Sequence, residues 1–150
     1  MIRKISRVEQ EDILSRINMW LDTVYPYKTE SAYICEIDRV EVDNFRIITK
    51  GRKKFDIYVR FGDTWLSDSS KTIVIVRIGF EKRRSGHGTR FLKHLLSIAL
   101  EYNYTDIGIE MVNSNSKFFA EKFGFEPHNN GSNYIISTDR LKLQLVGVLD

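Results

Sequence analysis

One stretch near the middle of the chain decides the fold, because it combines a strand, a glycine turn and the start of a helix. Residues 72–88 read TIVIVRIGFEKRRSGHG. The part through Ile78 is β-branched and apolar on both faces, which is typical of a strand in the middle of a sheet. Apolar residues then recur at helical spacing: Phe91, Leu92, Leu95, Leu96, Ala99 and Tyr102. The sequence therefore predicts strand, turn and helix in that order.

The turn carries two glycines and an excess of positive charge. Gly86 and Gly88 allow backbone N–H groups to converge without interference from a Cβ atom, and a helix N-terminus adds about half a positive charge. Between Arg77 and Lys93 the chain has six basic residues and one acidic residue, Glu81. These features predict a phosphate-binding loop, although a glycine turn before a helix also occurs for folding reasons alone.

Two well-known phosphate loops do not match this turn. A Walker loop needs Gly-Lys-Ser/Thr after four intervening residues, and none is present. A dinucleotide-binding fingerprint needs a third glycine at position 91, where the chain has Phe91. The spacing therefore disfavours both a nucleoside-triphosphate loop and a Rossmann site.

The residues before the turn predict a strand near 2–7, a helix that ends before Pro26 and an antiparallel hairpin. The helix rests on apolar residues at helical spacing: Ile13, Ile17, Trp20, Leu21 and Val24. The hairpin rests on two alternating runs: Phe45 and Ile47, then Phe55, Ile57, Val59 and Phe61. The polar run 67–71 is predicted to be a connection. Trp65 beside it either lines a substrate groove or anchors the hairpin.

The residues after the turn predict a strand over 105–112, a helix over 116–123 that Gly124 stops, and a hairpin at 129–131. Leucines at 141, 143 and 145 alternate, which predicts one last strand. An exposed edge on this strand could pair with a second copy, so we expect that a homodimer can form. This element order implies a mixed sheet with helices packed on it.

Length and composition limit the class of protein. The chain has 150 residues, of which 42% are hydrophobic and 29% charged, so we expect a single domain over 1–150. Its net charge is +3 and its isoelectric point is about 9.0, which allows an anionic partner without requiring a polyanion. We interpret the basic residues of the hairpin at 46–60 as a solvated surface, so nucleic acid is disfavoured as a partner.

The sequence also argues against a membrane, secretion or a metal. Its longest aliphatic run covers only 73–76, whereas a bilayer needs about 20 apolar residues. The N-terminus has basic residues without an apolar segment behind them, so we expect a cytoplasmic protein. Cys35 is the single cysteine and has no Cys or His near it in sequence, so neither a disulfide nor a metal site is predicted.

Two motifs together resemble the GNAT superfamily of acyl-CoA N-acyltransferases. Arg83-x-x-Gly86-x-Gly88 is similar to the family's pyrophosphate loop, Gln/Arg-x-x-Gly-x-Gly/Ala. IEMVNSN over 109–115 and FFAEKFGF over 118–125 resemble the family's Leu-Glu-Val-x-x-x-Asn and Phe-Tyr-Glu-Lys-Leu-Gly-Phe. The resemblance covers 72–136. It implies an α/β (α+β) fold with a mixed, mostly antiparallel sheet of six to seven strands and three to four helices.

The resemblance also implies an activity, namely transfer of an acetyl group from acetyl-CoA to a small-molecule or peptide primary amine by direct attack, without a metal. Amides of the loop would hold the CoA pyrophosphate, the end of the central strand would pair with the pantetheine, and an asparagine would lie nearby. The implied cofactor-binding residues are Arg77, Ile78, Gly79, Arg83, Arg84, Ser85, Gly86, His87, Gly88 and Thr89, with Asn113 or Asn115 as the asparagine. Glu110 matches the position of a general base in some family members.

Some alternatives stay open at this point. The family often has a tyrosine that protonates the leaving thiolate, and Ala120 stands in its place. A catalytically degenerate CoA-binding sensor or interaction module is therefore the alternative function. Glu110 can also be a solvent-facing or ion-paired strand residue, and His87 either a group near CoA or an exposed loop side chain.

Overall fold

A computed structural model describes residues 4–35, 41–82, 85–110, 114–128 and 131–146. The strands are β1 (Ile5–Ser6), β2 (Ala32–Ile34), β3 (Glu41–Val42), β4 (Asn44–Thr49), β5 (Phe55–Thr64), β6 (Ser67–Phe80), β7 (Asp106–Ile109), β8 (Glu126–His128) and β9 (Asn133–Ser137). The helices are α1 (Arg7–Val24), α2 (His87–Tyr102), α3 (Ser114–Lys122) and α4 (Thr138–Leu145). No helix in these ranges combines the length and the apolar character needed to cross a membrane.

Seven strands form one sheet in the order β2-β4-β5-β6-β7-β9-β8, and β1 pairs with β3 separately. Among the described strands, β6 and β7 form the one parallel pair, joined through α2, while their neighbours pair antiparallel. The predicted fold class is confirmed: the sheet is mixed and mostly antiparallel, with seven strands and four described helices.

Local signals explain where the first helix begins and ends. The Ser6 hydroxyl accepts a hydrogen bond from the backbone N–H of Glu9 at 3.1 Å, so it caps the N-terminus of α1. The helix ends at Val24, two residues before Pro26, which cannot continue it. Between these ends the helix buries the face predicted from its spacing, with Ile13 and Ile17 fully buried.

The alternating residues of the central strands place the core on one side of the sheet. Ile57, Val59 and Phe61 of β5 are fully buried and belong to the same hydrophobic core as the apolar residues of all four helices. Residues on the opposite face of β5, such as Tyr58 and Arg60, are only partly buried. Side chains that serve a site at the sheet surface therefore come from this second face.

The prediction of a connection at 67–71 is wrong. Strand β6 starts at Ser67, and only Trp65 and Leu66 separate it from β5. The run belongs to strand β6, which pairs with β5 at Ser67 opposite Thr64 and again at Thr72 opposite Gly62, and its last residue, the buried Lys71, has a carboxylate partner. Its Nζ atom lies 2.8 Å from a carboxylate oxygen of Glu9 on α1, so a charged residue is accommodated inside the fold.

The predicted last strand is also wrong, because 138–145 form helix α4. The Ser137 hydroxyl accepts from the backbone N–H of Arg140 at 3.2 Å and caps this helix. Leu141 and Leu145 are buried and lie one turn apart, whereas Leu143 is 75% exposed. A spacing of four fits both a strand and a helix. The expected homodimer thus loses the strand edge on which it rested.

Candidate active site

The parallel strands β6 and β7 separate at the position of Glu110. Their pairing ends with Ile75 opposite Ile109, and the backbone N–H of Glu110 donates to the Ile75 carbonyl at 3.0 Å. Strand β7 stops at Ile109, while β6 continues to Phe80. Beyond Ile75, no described strand pairs with this edge of β6, and we refer to the edge, with Glu110 at its apex, as the gap.

A β-bulge marks the same position on β6. Val59 of β5 lies opposite Ile75, but Tyr58 lies opposite Arg77, so Val76 is an extra residue that bends the strand. Beyond the bulge, residues 77–79 pair with β5 on one side only, and no described strand pairs with their other edge. The sequence-predicted residues Arg77, Ile78 and Gly79 thus present backbone groups to the gap.

The loop after β6 leads into α2 with unpaired backbone donors. Gly86 has a φ of +83°, a left-handed conformation that favours glycine, and no side chain caps the helix. The first hydrogen bond of the helix runs from the N–H of Arg90 to the Gly86 carbonyl at 3.0 Å. The N–H groups of His87, Gly88 and Thr89 precede it and have no partner within the helix. This donor set suits an anionic group such as a pyrophosphate.

Side chains hold this loop in shape. The Ser85 hydroxyl donates to the Lys82 carbonyl at 2.8 Å, and the Arg90 guanidinium donates to the Ser85 carbonyl at 3.2 Å. Arg90 also lies 2.8 Å from Nδ1 of His87. Because arginine only donates, Nδ1 must accept, and the neutral imidazole carries its proton on Nε2. Burial and the charges of Arg90 and Lys82 lower the pKa of His87, so it is neutral at pH 7.

Gly88 is needed where α2 meets α3. A Cβ atom at Gly88 would lie 3.3 Å from the Phe119 ring, so a larger side chain would first press on α3. Residues at both ends of the loop also line a cavity of about 340 Å³. Its lining residues are Val24, Tyr25, Lys54, Glu81, Lys82 and His87. The loop thus has open, partly basic space beside it.

Glu110 is held by two donors that lie far away in the sequence. Its side chain is 16% exposed, and its Oε2 atom accepts from Trp65 Nε1 at 2.6 Å and from Arg60 Nη1 at 3.1 Å. None of the described residues donates a hydrogen bond to Oε1. The ion-paired interpretation of Glu110 is correct, and the ion pair leaves one carboxylate oxygen at the apex of the gap.

Trp65 lies across β7 because Gly108 leaves room for it. A Cβ atom at Gly108 would lie 3.2 Å from Cη2 of the indole. The same ring stacks on His128, with centroids 5.5 Å apart. Sequence reasoning left the role of Trp65 open and grouped Arg60 with the basic, solvated residues of the hairpin, without a role beside Glu110. A glycine inside a strand is a signal for such close approach, and Gly108 is that signal.

More guanidinium groups surround a tyrosine on the same face of the sheet. Arg60 and Arg77 lie with Cζ 5.5 Å and 5.6 Å from the centre of the Tyr58 ring, and Arg46 Nη1 is 3.5 Å from its hydroxyl. Burial raises the pKa of Tyr58, but hydrogen bonds from Arg60 and Arg46 and their charges outweigh it, and the net pKa is lowered. Three guanidinium groups therefore lie around Tyr58 beside Glu110, and two of them pair with carboxylates: Arg60 with Glu110 and Arg77 with Asp56.

The remaining predicted residues contribute less to the observed site. Arg83, Arg84 and Asn113 lie outside the described residues. Asn115 is exposed in the first turn of α3. Ala120 is fully buried in the core, so a tyrosine in its place would need space that the core does not offer.

Comparison with solved structures supports the fold. The AtaTR structure with AcCoA has 13% identity and a TM-score of 0.50, and the match covers 69% of this chain and 71% of that one. The KacTA–DNA complex has 11% identity and a TM-score of 0.50, and the match covers 86% of this chain and 83% of that one. The DNA-bound AtaT–AtaR complex has 14% identity and a TM-score of 0.50, and the match covers 69% of this chain and 74% of that one. No family model and no curated protein matches the sequence.

These neighbours show that the chain has the GNAT fold. At identities of 11–14%, the structural similarity establishes the fold but not the activity. Two of the three neighbours are complexes with DNA, so the expectation that nucleic acid is disfavoured as a partner gains no support from them.

Proposed function

We propose that the protein is an acetyl-CoA-dependent N-acetyltransferase that acts on a primary amine of a small molecule or peptide. The observation that carries this proposal is the gap between β6 and β7, which has Glu110 at its apex and the uncapped N-terminus of α2 near its β6 side. Such a gap accommodates an extended chain along β6 with an anion at the helix N-terminus.

The chain's own residues fit the two ends of acetyl-CoA. Backbone N–H groups over 86–89, with Arg83 and Arg84 from the sequence motif, would bind the pyrophosphate. The free edge of β6 over Arg77 to Gly79 would pair with the amides of the pantetheine as an added strand does. When bound, acetyl-CoA supplies an activated acyl carbon and a thiolate leaving group.

Glu110 is the proposed general base. An amine must lose a proton as it attacks, and Oε1 of Glu110 is the carboxylate oxygen available to accept it. Arg60 and Trp65 bind the other oxygen, Oε2, and act as positioning residues that keep Oε1 directed to the gap. Ala120 provides no phenol, so we propose that water protonates the departing thiolate.

Thermal unfolding tests the cosubstrate directly. At 100 times its dissociation constant, acetyl-CoA should stabilise the fold by about 2.7 kcal/mol, which raises Tm by roughly 5–11 °C for a domain of this size. NADH and ATP should raise it much less, because they lack the pantetheine that pairs with β6. Equal shifts from all three compounds would refute the assignment.

A second measurement separates the enzyme from the degenerate module. Labelled acetyl-CoA is offered with a panel of amines, peptides and transfer RNA, and acetylated product is counted. Transfer to at least one acceptor supports the enzyme. Stabilisation by acetyl-CoA without transfer to any acceptor would favour a CoA-binding sensor instead.

A further inference from the structure

Two stacked rings, the indole of Trp65 and the imidazole of His128, lie next to Glu110. Their centroids are 5.5 Å apart, their planes are inclined by 18°, and both residues are partly buried. The same indole donates from Nε1 to Oε2 of Glu110 at 2.6 Å. The indole therefore contacts the carboxylate through its N–H group and the imidazole through its face, so one side chain links His128 to Glu110.

Strand register places Glu110 and His128 level with each other on one face of the sheet. Gly108 of β7 lies opposite Ile135 of β9, and Ile135 lies opposite Glu126 of β8. Glu110 and His128 each lie two residues further on in the same direction, and side chains two residues apart along a strand share a face. One strand separates them, so their backbones are about 10 Å apart. The indole bridges this distance.

The orientation of Trp65 depends on its neighbours because a short turn supplies it. Only Trp65 and Leu66 separate β5 from β6. Gly108 makes room for the indole, since a Cβ atom there would lie 3.2 Å from Cη2, but a glycine has no side chain with which to hold a ring. The stack on His128 supplies such a hold, because aromatic pairs at this separation stabilise beyond the area that they bury.

We propose that His128 is a positioning residue for Glu110 and acts through Trp65. Its ring keeps the indole oriented so that Nε1 donates to Oε2, and Oε1 stays directed to the gap. This inference rests on the proposed function, in which Oε1 accepts the proton of the amine. Arg60 donates to the same Oε2 atom at 3.1 Å, so loss of the indole bond loosens the carboxylate without releasing it. The expected effect on the rate is therefore partial.

Two replacements of His128 test the stack by kinetics. His128→Ala removes it, and kcat with labelled acetyl-CoA should fall by about two- to tenfold, the factor that corresponds to one aromatic pair. KM for acetyl-CoA should stay unchanged, because the loop over 86–89 and the edge of β6 are not altered. His128→Phe keeps a flat ring against the indole and should restore the rate.

The indole N–H signal of Trp65 reports the hydrogen bond without acetyl-CoA. The chain has two tryptophans, so its nitrogen–proton spectrum has two indole signals, and Trp65→Phe identifies the one that belongs to Trp65. Glu110→Ala gives the position of this signal without the carboxylate acceptor. In His128→Ala the signal should move toward that position, and in His128→Phe it should stay at the wild-type position. An unchanged Trp20 signal shows that each variant is folded.

The control variant is Glu126→Gln, on the same strand and face as His128. Glu126 pairs with Arg140 at 2.7 Å, and its replacement should change neither kcat nor the Trp65 signal. An unmoved Trp65 signal in His128→Ala overturns the inference, and so does the same movement in the control. Equal losses in His128→Ala and His128→Phe also overturn it, since the imidazole would then act through its nitrogens.

The spectrum also separates this inference from the proposed function. If no acceptor is acetylated, the proposed function fails and there is no rate to compare. Movement of the Trp65 signal in His128→Ala, with recovery in His128→Phe, then still supports His128 as the residue that positions Glu110 through the indole. Normal acetyl transfer together with an unmoved Trp65 signal in His128→Ala refutes the role of His128 and leaves the proposed function standing.

Discussion

Glu110→Gln separates catalysis from structure at the apex of the gap. The amide has the shape of the carboxylate, and its oxygen can still accept hydrogen bonds from Trp65 and Arg60. The amide cannot accept a proton from an attacking amine. The change therefore removes the proposed base and the charge of one ion pair, and it leaves the contacts around the side chain in place.

The two effects differ greatly in size. The Arg60 side chain is 36% exposed, so the ion pair belongs to the solvent-screened class that contributes about 0.2–1 kcal/mol. For a domain of this length the variant should lose less than about 4 °C in Tm. A general base contributes about a hundred- to ten-thousand-fold, or roughly 3–5 kcal/mol of barrier. Turnover should therefore fall by at least about two orders of magnitude in a folded protein.

The assay combines three measurements on one preparation. Initial rates with labelled acetyl-CoA give kcat and KM, thermal unfolding gives Tm, and the Tm shift with acetyl-CoA reports binding. Glu126→Gln is the matched control, because Glu126 also pairs with an arginine, at 2.7 Å. We expect this control to match the wild type in rate and to lose a similarly small amount of stability.

Two results would contradict the reasoning. Full turnover in Glu110→Gln would mean that water or the substrate handles the proton, and Glu110 would then be a structural partner of Arg60 and Trp65. A large loss of Tm and of acetyl-CoA stabilisation together would mean that the carboxylate holds the gap open rather than acting in the chemistry.

Gly86→Ala should cost about 1–2 kcal/mol, because it forces a side chain into a φ of +83° and places Cβ 2.9 Å from Arg90, and it should reduce the acetyl-CoA shift. Gly51→Ala, which meets nothing within 4 Å, should leave both Tm and the shift unchanged. Equal behaviour of the two variants would exclude the loop from binding. Burial, with the hydrogen bond to Asp12, raises the pKa of Tyr102 to about 12, whereas the unfolded phenol titrates near 10. The Tyr102 phenol therefore stabilises the fold below pH 10, and this stabilisation is lost as the pH rises to 12. Over this range Tm should fall less steeply with pH in Tyr102→Phe than in the wild type, and identical curves of Tm against pH would contradict this.

Much of the fold could be predicted because its signals are local. The β-branched run of β6, the glycine turn at Gly86 and the helical spacing of α2 depend on neighbours in sequence, and all three are confirmed. Polar residues over 67–71 were misleading, since they say nothing of the ladder that β5 provides. Lys71 is buried only because Glu9, 62 residues away, is beside it.

The candidate site likewise has one part that could be predicted from local sequence and one part that could not. The loop over 86–89 and the position of Glu110 could be predicted from motifs, whereas the partners of Glu110 could not. Arg60 and Trp65 lie 50 and 45 residues before it, and the arginines of β4 and β6 meet Tyr58 only through strand order and register.

The sequence by itself determined the element types wherever one period was unambiguous, and the tertiary structure decided the rest. Leucines 141 and 145 satisfy a period of two and a period near 3.6 equally well, so the alternation could not choose between strand and helix. The Ser137 cap and the burial of Leu141 and Leu145 in the core make the segment a helix. The tertiary structure also decided the surroundings of Glu110. A carboxylate can be a base, an ion-pair partner or both, and which of these it is depends on the side chains that the sheet places beside it.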